Sequence, residues 1–591
     1  MKQIKKKVNS ININSSNYLK DYLNTLGIAD ENISSFINKP RDLDEDNPLT
    51  LDNMQLAIET AYAELIKPTA HIFVQIDSDS DGYTSSAVLI NYIKRRFNGI
   101  KVSYALHPGK EHGIVPEVIP EDVTLIFIPD AGSNDYDQQQ LLCSQGKKLI
   151  ILDHHEVNDH KTTGAILVNN QSSINFINKN LSGVGIVYMF IKAMDEKYFS
   201  NDLIYRDYMD LTAIGIIADA MNMTSLGNNY IAYYGLSNIK NKFIQNLAVK
   251  QARGIKNPEK LTKTDIAFYI APVINGVIRS GSQEDKETVF KALVDNNSAE
   301  LFDYEWRGNY KQETLYDRAV RLAVNAKSRQ DSNKKKAFEW LCELIRKNNY
   351  DKDNLIIVPL DEEQSNKVSA NITGLIAMEI VKEFNKPCLI LRKTEFEDKI
   401  LFGGSGRNGN FFGLPSLLDF LRESNLVYYV AGHANAFGCF IEEDKIPLLR
   451  EYANTQLNQK SFEEVYEVDY WFHTTENINK SMLFDFASCE FLWGQGIPRP
   501  IFAFDFNYTS KDVTIMGADK SSVKIKYNGI DFVSFKNSEL AKKIEECPNG
   551  HVQIIGAPSL NEWMGRTSIQ IKAEEIEISE LPKPNSFLNL I

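Results

Sequence analysis

Three short β-branched runs each end in acidic side chains, and this repeated junction constrains the fold more than any other feature of the chain. HIFVQI (71–76) runs into DSDSDG, VTLIFI (123–128) into PDAG, and KKLIIL (147–152) into DHH. Stretches with helical spacing separate them, such as Ser85 to Arg96, and strands joined by helices pair in parallel through crossovers. Ligands of open parallel sheets bind at the carboxyl ends of the strands. The spacing therefore predicts an α/β unit in which Asp77, Asp79, Asp81, Asp130, Asp153, His154 and His155 converge on one edge.

The 591 residues exceed what one ordinary core holds. Residues 1–67 read as an N-terminal helical segment packed on the first α/β unit, with Met54 to Leu65 an amphipathic helix; that unit spans 68–238. Residues 239–350 form a helical connector with a solvated basic run from Ser328 to Lys336. A smaller α/β unit over 351–455 contains LIIVPL, a helix from Gly374 to Phe384 and the strand CLILRK. The alternating runs IFAFDFNY, VKIKY, DFVSFK, HVQIIGA and SIQIKAEEIEI predict a closed or sandwiched β domain within 456–591.

Net charge is −13, which excludes coating a duplex by bulk attraction and leaves room only for a local basic groove. The six cysteines carry no CxxC spacing and read as reduced thiols. No apolar run approaches the ~20 residues a membrane helix needs, and the basic start lacks an apolar stretch behind it. A cytoplasmic protein is expected, with the Asn, Ile and Lys content pointing to an AT-rich genome of a bacterium or its phage.

Alternating carboxylates at a strand terminus repel one another unless cations neutralise them, and an all-oxygen set suits Mg²⁺ or Mn²⁺. Taken alone, DSDSDG fits a solvated turn or a calcium loop equally well. Gly82 permits a tight turn, and Thr84, Ser85 and Ser86 are candidate caps for the next helix. Imidazole beside carboxylates favours a transition-type ion, so DHH shifts the balance toward Mn²⁺. Asp219, in LTAIGIIADAMNM, is a further acid after an apolar segment.

DSDSDG, PDAG, LDHH and IIAD occur in the order and approximate spacing of the four motifs of DHH phosphoesterases, and further segments resemble the RecJ single-strand exonucleases. LSGVGIVYMF (181–190) is similar to LSGVGVAF, IAPVINGVIR (270–279) to PRINAAGR, GSGR (404–407) to GSAR, and AGHANAFG (431–438) to the GGHxxAAG signature of the DHHA1 domain. GQGIPRPIF resembles GxGNPxPxF, and LNEWMGRTSIQ resembles the NExxGxxxxQ run of the RecJ oligonucleotide-binding (OB) domain. Val273, Ile278, Ala431 and Ile497 depart from the family pattern, and none coincides with an expected metal ligand.

The resemblance implies a parallel-sheet DHH domain, a helical connector, a DHHA1 domain and a C-terminal OB-like β-barrel. It implies two divalent cations, Mn²⁺ or Mg²⁺, one on Asp77, Asp79 and Asp130, the other on Asp81, Asp130, His154 and Asp219, with Asp153 and His155 supporting them or contacting phosphate. Lys110, His112, Arg279, Ser405, Arg407 and His433 are the expected substrate contacts. Phe411, Phe412, Tyr428 and Tyr429 are candidate stacking platforms, and Lys524, Lys526, Trp563 and Arg566 a candidate OB face. The implied activity is 5′→3′ hydrolysis of single-stranded DNA to nucleoside monophosphates by a monomer, with a helicase or single-strand-binding protein as partner and no membrane. Competing readings are a phosphodiesterase for short oligoribonucleotides or cyclic dinucleotides, and a non-catalytic DHH-fold scaffold.

Overall fold

The computed structural model describes residues 3–581, apart from 8–10, 12–14, 16, 109–111, 159–160, 296, 307, 397–398, 412, 459–461, 463–464, 475 and 564. Strand β1 (Gln3–Lys6) comes first, and β2 (His71–Ile76), β3 (Lys101–Leu106), β4 (Leu125–Pro129), β5 (Lys148–Asp153) and β6 (Ile166–Asn169) form a sheet of order β3-β2-β4-β5-β6. Every pairing in that sheet is parallel. All residues of β2 and β4 are buried, as strands covered on both faces must be, which explains their unbroken apolar runs. The strand order reverses between β2 and β4, so Asp77 and Asp130 follow the two strands that flank the switch point.

The helix after β2 differs from expectation. It spans Ser80–Arg96, and its cap is Asp79, whose side chain accepts from the amides of Asp81 and Gly82. Thr84, Ser85 and Ser86 lie inside it and are buried. The connector also departs from an all-helical reading: β7 (Leu301–Trp306) and β8 (Asn309–Thr314) make an antiparallel hairpin. Arg318 and Arg321 lie over Phe302 and Tyr304 at 4.8 and 4.9 Å, so cation–π contacts fasten this hairpin to the next helix.

That helix, Leu315–Lys347, runs 33 residues, or about 50 Å at 1.5 Å per residue. Its first half, to Ala326, belongs to a core shared with the parallel-sheet unit, and its second half, from Ala337, to a separate core reaching Phe462. The basic run Ser328–Lys336 bridges the two. Within the second core, β9 (Ile356–Leu360), β10 (Cys388–Phe396), β11 (Lys399–Arg407), β12 (Tyr429–His433) and β13 (Ala436–Ile441) form a sheet of order β12-β13-β11-β10-β9.

Strand β14 (Val465–Val468) pairs with β1. Next, β15 (Tyr470–Phe472), β16 (Phe502–Tyr508), β17 (Val513–Met516), β18 (Ser522–Tyr527), β19 (Ile530–Ser534), β20 (Gly550–Trp563) and β21 (Arg566–Glu580) build a seven-stranded sheet of order β15-β16-β20-β21-β19-β18-β17. The N-terminal segment touches both ends of the first core. Glu45 meets Tyr188 and Lys192 of the parallel-sheet unit at 2.9 and 3.1 Å, whereas Tyr22 donates to the Pro498 carbonyl at 2.9 Å and packs on Phe486. No helix among the described residues is long and apolar enough to cross a membrane.

Candidate metal centre

The ends of β2, β4 and β5 and two helix termini bring the acids together. Asp77 Oδ2 accepts from His112 Nδ1 at 2.7 Å, a contact that raises the His112 pKa, while its buried Oδ1 has no hydrogen-bond partner. Asp79 sits at a helix N-terminus, where amide dipoles favour an anion. Asp81, in the first turn of that helix, reaches a second helix start: it accepts from Ser182 Oγ at 3.0 Å and from the amides of Gly183 and Val184 at 2.7 and 3.2 Å. The segment LSGVG is therefore a cradle for the third acid of DSDSDG.

Asp130 adopts φ +64°, a left-handed conformation that costs on the order of 1 kcal/mol outside glycine and turns the carboxyl away from the strand direction. The helix starting at Gly183 lies against that carboxyl so closely that a Cβ on Gly183 would collide with it. Gly82 is constrained likewise, since a Cβ would come within 2.6 Å of the Asp77 Cβ.

His154 Nε2 lies 3.2 Å from Asp130 Oδ1 and 3.5 Å from Asp219 Oδ2, yet neither buried oxygen has a hydrogen-bonding partner. The imidazole nitrogen is thus close to two carboxylates without a hydrogen bond to either. Burial and then repulsion from His155 lower the His154 pKa to about 4, so the imidazole is neutral with a lone pair available. His155 is the opposite case: its hydrogen bond to Asp153, 2.8 Å long, raises its pKa to about 9. Burial pushes Asp153 up, but His155 and the Ser133 amide outweigh it and hold the carboxyl below the usual range.

Asp81, Asp130 and Asp219 resist ionisation. Burial first, and then neighbouring carboxylates, raise Asp81 to about 7, Asp219 to about 8, and Asp130 well above its ordinary value. Ligand atoms of Asp77, Asp79 and Asp130 lie within 4.8 Å of one another, as do those of Asp81, His154 and Asp219, and those of Asp130, His154 and His155. Orphaned buried oxygens, like-charge crowding and a neutral imidazole are what a pair of hard divalent cations would relieve.

The other expected residues lie elsewhere. Lys110 and Phe412 fall outside the described residues. Arg279 lies near the end of the helix Ala271–Ser280, whose Asn275 accepts from the Ser80 amide and hydroxyl at 3.0 and 2.9 Å; Asn275 is a contact that motif letters alone did not single out. Ser405 and Arg407 are on β11, and Arg407 shares a rung with Ala436 and His433. Ser405 Oγ is 3.0 Å from Thr373 Oγ1 at the start of the helix Thr373–Phe384, and the Arg407 guanidinium abuts Gly374. Arg407 and Ser405 thus lie at the N-terminus of that helix, where amide dipoles favour a negative charge.

Among the stacking candidates, Phe411 is a core residue packed on Phe462, which removes it; its letters alone cannot distinguish a core ring from a platform. Tyr428 and Tyr429 are exposed. The OB candidates are not gathered into one cluster. Lys526 shares a rung with Asp531 and Gln570, four residues and so roughly 13 Å along the strand from Arg566. Lys524 pairs with Asp531 at 3.7 Å, and for Trp563 only the backbone pairing with Arg566 is described. A different basic group is assembled by the fold: burial first, and then Lys256 and Arg499, depress the pKa of the half-buried Lys572, while Arg499 is itself paired with Glu490. These three line a cleft of about 1310 Å³ between the parallel-sheet unit and the C-terminal β domain, together with the exposed Phe268 and Tyr269. Their separation in sequence hid them.

The model of the DHH family N-terminal domain matches residues 71–216, and that of the RecJ OB domain matches residues 474–575. An SPbeta prophage protein of Bacillus subtilis named as a single-strand DNA-specific exonuclease, YorK, is 32% identical over 86% of this chain and 87% of its own. The RecJ single-stranded-DNA-specific exonuclease of Escherichia coli is 24% identical over 89% of this chain and 90% of its own. The fold is that of RecJ from Thermus thermophilus in complex with Mn²⁺, with a TM-score of 0.69 at 19% identity over 98% of this chain and 80% of that one. By motif order, fold and extent of identity, the chain belongs to the RecJ-like family of DHH proteins.

Proposed function

We propose that the chain is a metal-dependent exonuclease that hydrolyses single-stranded DNA from the 5′ end to nucleoside monophosphates. One observation carries the reading: buried oxygens of Asp77, Asp130 and Asp219 lack hydrogen-bond partners, and those of Asp130 and Asp219 lie 3.2 and 3.5 Å from a neutral His154. Asp77, Asp79 and Asp130 would hold one cation, Mn²⁺ or Mg²⁺, and Asp81, Asp130, His154 and Asp219 the other. When bound, such a pair lowers the pKa of a shared water and neutralises charge on the attacked phosphate.

The chain's own groups do the rest. Asp153 orients His155 and keeps it protonated, so that its cationic ring can face a phosphate oxygen near the cluster. His112, anchored on Asp77, presents a second imidazole, and Arg279, Ser405, Arg407, His433 and Lys110 are assigned to neighbouring phosphates. Upstream nucleotides would follow the cleft of Lys256, Arg499 and Lys572, with bases stacking on Phe268 and Tyr269 at ~1–3 kcal/mol each. A dinucleotide has no use for that cleft, which disfavours a phosphodiesterase restricted to such substrates. The reading extends to a monomer in a bacterial cytoplasm, acting on strands that a helicase or single-strand-binding protein exposes.

The test is digestion of end-labelled single strands bearing 5′-phosphate, 5′-hydroxyl or blocked ends, in Mn²⁺ and in Mg²⁺, by the parent and by Asp130→Asn. Mononucleotides released from the 5′ end by the parent, with turnover at least ~10³-fold lower in the variant, are expected. Undiminished cleavage by Asp130→Asn, or equal turnover of a dinucleotide, would count against the proposal.

A further inference from the structure

Asp219 is placed unlike the other acids. It ends the helix Met209–Ala218, where the negative pole of the helix opposes a carboxylate. Ala220 follows with φ +53°, a conformation that costs an alanine on the order of 1 kcal/mol. Its amide and that of Met221 return to Ile217 and Ile216 at 3.1 Å each, the Schellman pattern that closes a helix end, and these bonds stop at Met221, so the segment beyond it is held from outside the helix.

The support comes from the C-terminal domain. The amide of Met223 donates to the Gln495 carbonyl at 2.8 Å. Gly496, at φ +79°, lies so close to Asn222 that a Cβ would overlap the Asn222 Oδ1. That oxygen is already engaged, accepting from the amide and hydroxyl of Thr224 at 2.9 Å each. The turn carrying Gly496 is closed by Gly494–Ile497 backbone bonds of 2.9 and 3.1 Å. It is fastened on two sides, by buried Lys263 donating to the Leu492 carbonyl at 3.2 Å and by Tyr22 donating to the Pro498 carbonyl at 2.9 Å. GQGIPRP thus embraces the residues that follow Asp219.

We propose that the turn Gly494–Ile497 is a positioning element for Asp219, holding the segment Ala220–Thr224 so that the Asp219 carboxylate stays within reach of a cation shared with Asp81 and His154. The proposal rests on the assignment of Asp219 as a cation ligand. The C-terminal domain then has a part in building the centre, beyond any contact with the strand.

The experiment is equilibrium Mn²⁺ binding to the full chain without DNA, read from the paramagnetic resonance of free Mn²⁺. Gly496→Ala, confirmed folded by its thermal melt, should bind one ion as the parent does and the other about 10-fold more weakly, in the range seen when outer partners of metal ligands are changed. In an Asp219→Ala background the same change should add less than about twofold, because the two act through one group. Lys263→Met, which removes the bond that fastens the turn through the Leu492 carbonyl, should give the same selective loss and serves if Gly496→Ala does not fold. Two ions bound at parental affinity, equal weakening of both, or a penalty that adds in full to that of Asp219→Ala would overturn the clamp alone. A parent that binds no Mn²⁺ would overturn the cation reading and the clamp with it.

Discussion

A carboxyl group buried beside other carboxyl groups keeps its proton until a cation replaces it. Asp81 at about 7 and Asp219 at about 8 lie far above the ordinary carboxylate value near 3.9. Between roughly pH 4 and pH 8 these two groups therefore hold more protons in the folded metal-free chain than in the unfolded one, and the stability they contribute is lost as pH rises through that window. Bound Mn²⁺ needs the ionised ligands and displaces those protons, so the rise in Tm on adding Mn²⁺ should be larger near pH 8 than near pH 5.5. Thermal melts with EDTA and with Mn²⁺ at the two pH values check this, and an equal rise at both would contradict it. Asp77, Asp130, Asp153 and His154 were legible because each follows an apolar strand run. The opposed states of His154 and His155 were not, since adjacent letters give no sign that one ring is buried and the other is bonded to Asp153.

At the scale of elements, the helix Ser80–Arg96 shows how one residue can serve two ends. Asp79 caps it and also contributes to the acid cluster. The two roles separate by substitution: Asp79→Asn keeps the capping acceptor and loses the charge, whereas Asp79→Ala loses both. In metal-free protein Asp79→Ala should cost about 1 kcal/mol by denaturant titration and Asp79→Asn only a few tenths, while both should lose Mn²⁺ affinity. Equal stability of the two variants would remove the capping role. Sequence placed the helix start near Ser85 because hydroxyl residues resemble caps, yet Thr84 Oγ1 donates back to the Ser80 carbonyl at 2.9 Å inside the helix. The β7–β8 hairpin was hidden in a charged stretch for a related reason. Its first strand alternates apolar and polar letters only over Phe302–Trp306, its second strand NYKQET does not, and the aromatic side is shared between the edge of the core, where Phe302 packs, and the arginines over Phe302 and Tyr304.

Across the whole molecule, a net charge of −13 opposes a polyanion, and the proposed reading places the strand along the cleft of Lys256, Arg499 and Lys572 and beside Arg407. With roughly four phosphates neutralised, the log–log salt dependence of single-strand binding should have a slope of about −3. Fluorescence anisotropy with Asp130→Asn would measure it, and a slope steeper than about −7 would mean contact along much of the surface. The helix Leu315–Lys347 joins two separate cores, which leaves Arg407 and the acid cluster on bodies with no shared apolar interior. The order of units, the parallel sheet and the acids at strand ends were determined by the sequence itself, because period-two and period-3.6 apolar patterns and strand-terminal acids are local properties of the chain. Which basic residues gather in the cleft, how Asp81 finds the helix start at Gly183, and what steadies the turn after Asp219 were decided only by tertiary structure. Each depends on segments brought together across about 100 to 300 residues, and no local pattern encodes a meeting between chain positions so far apart.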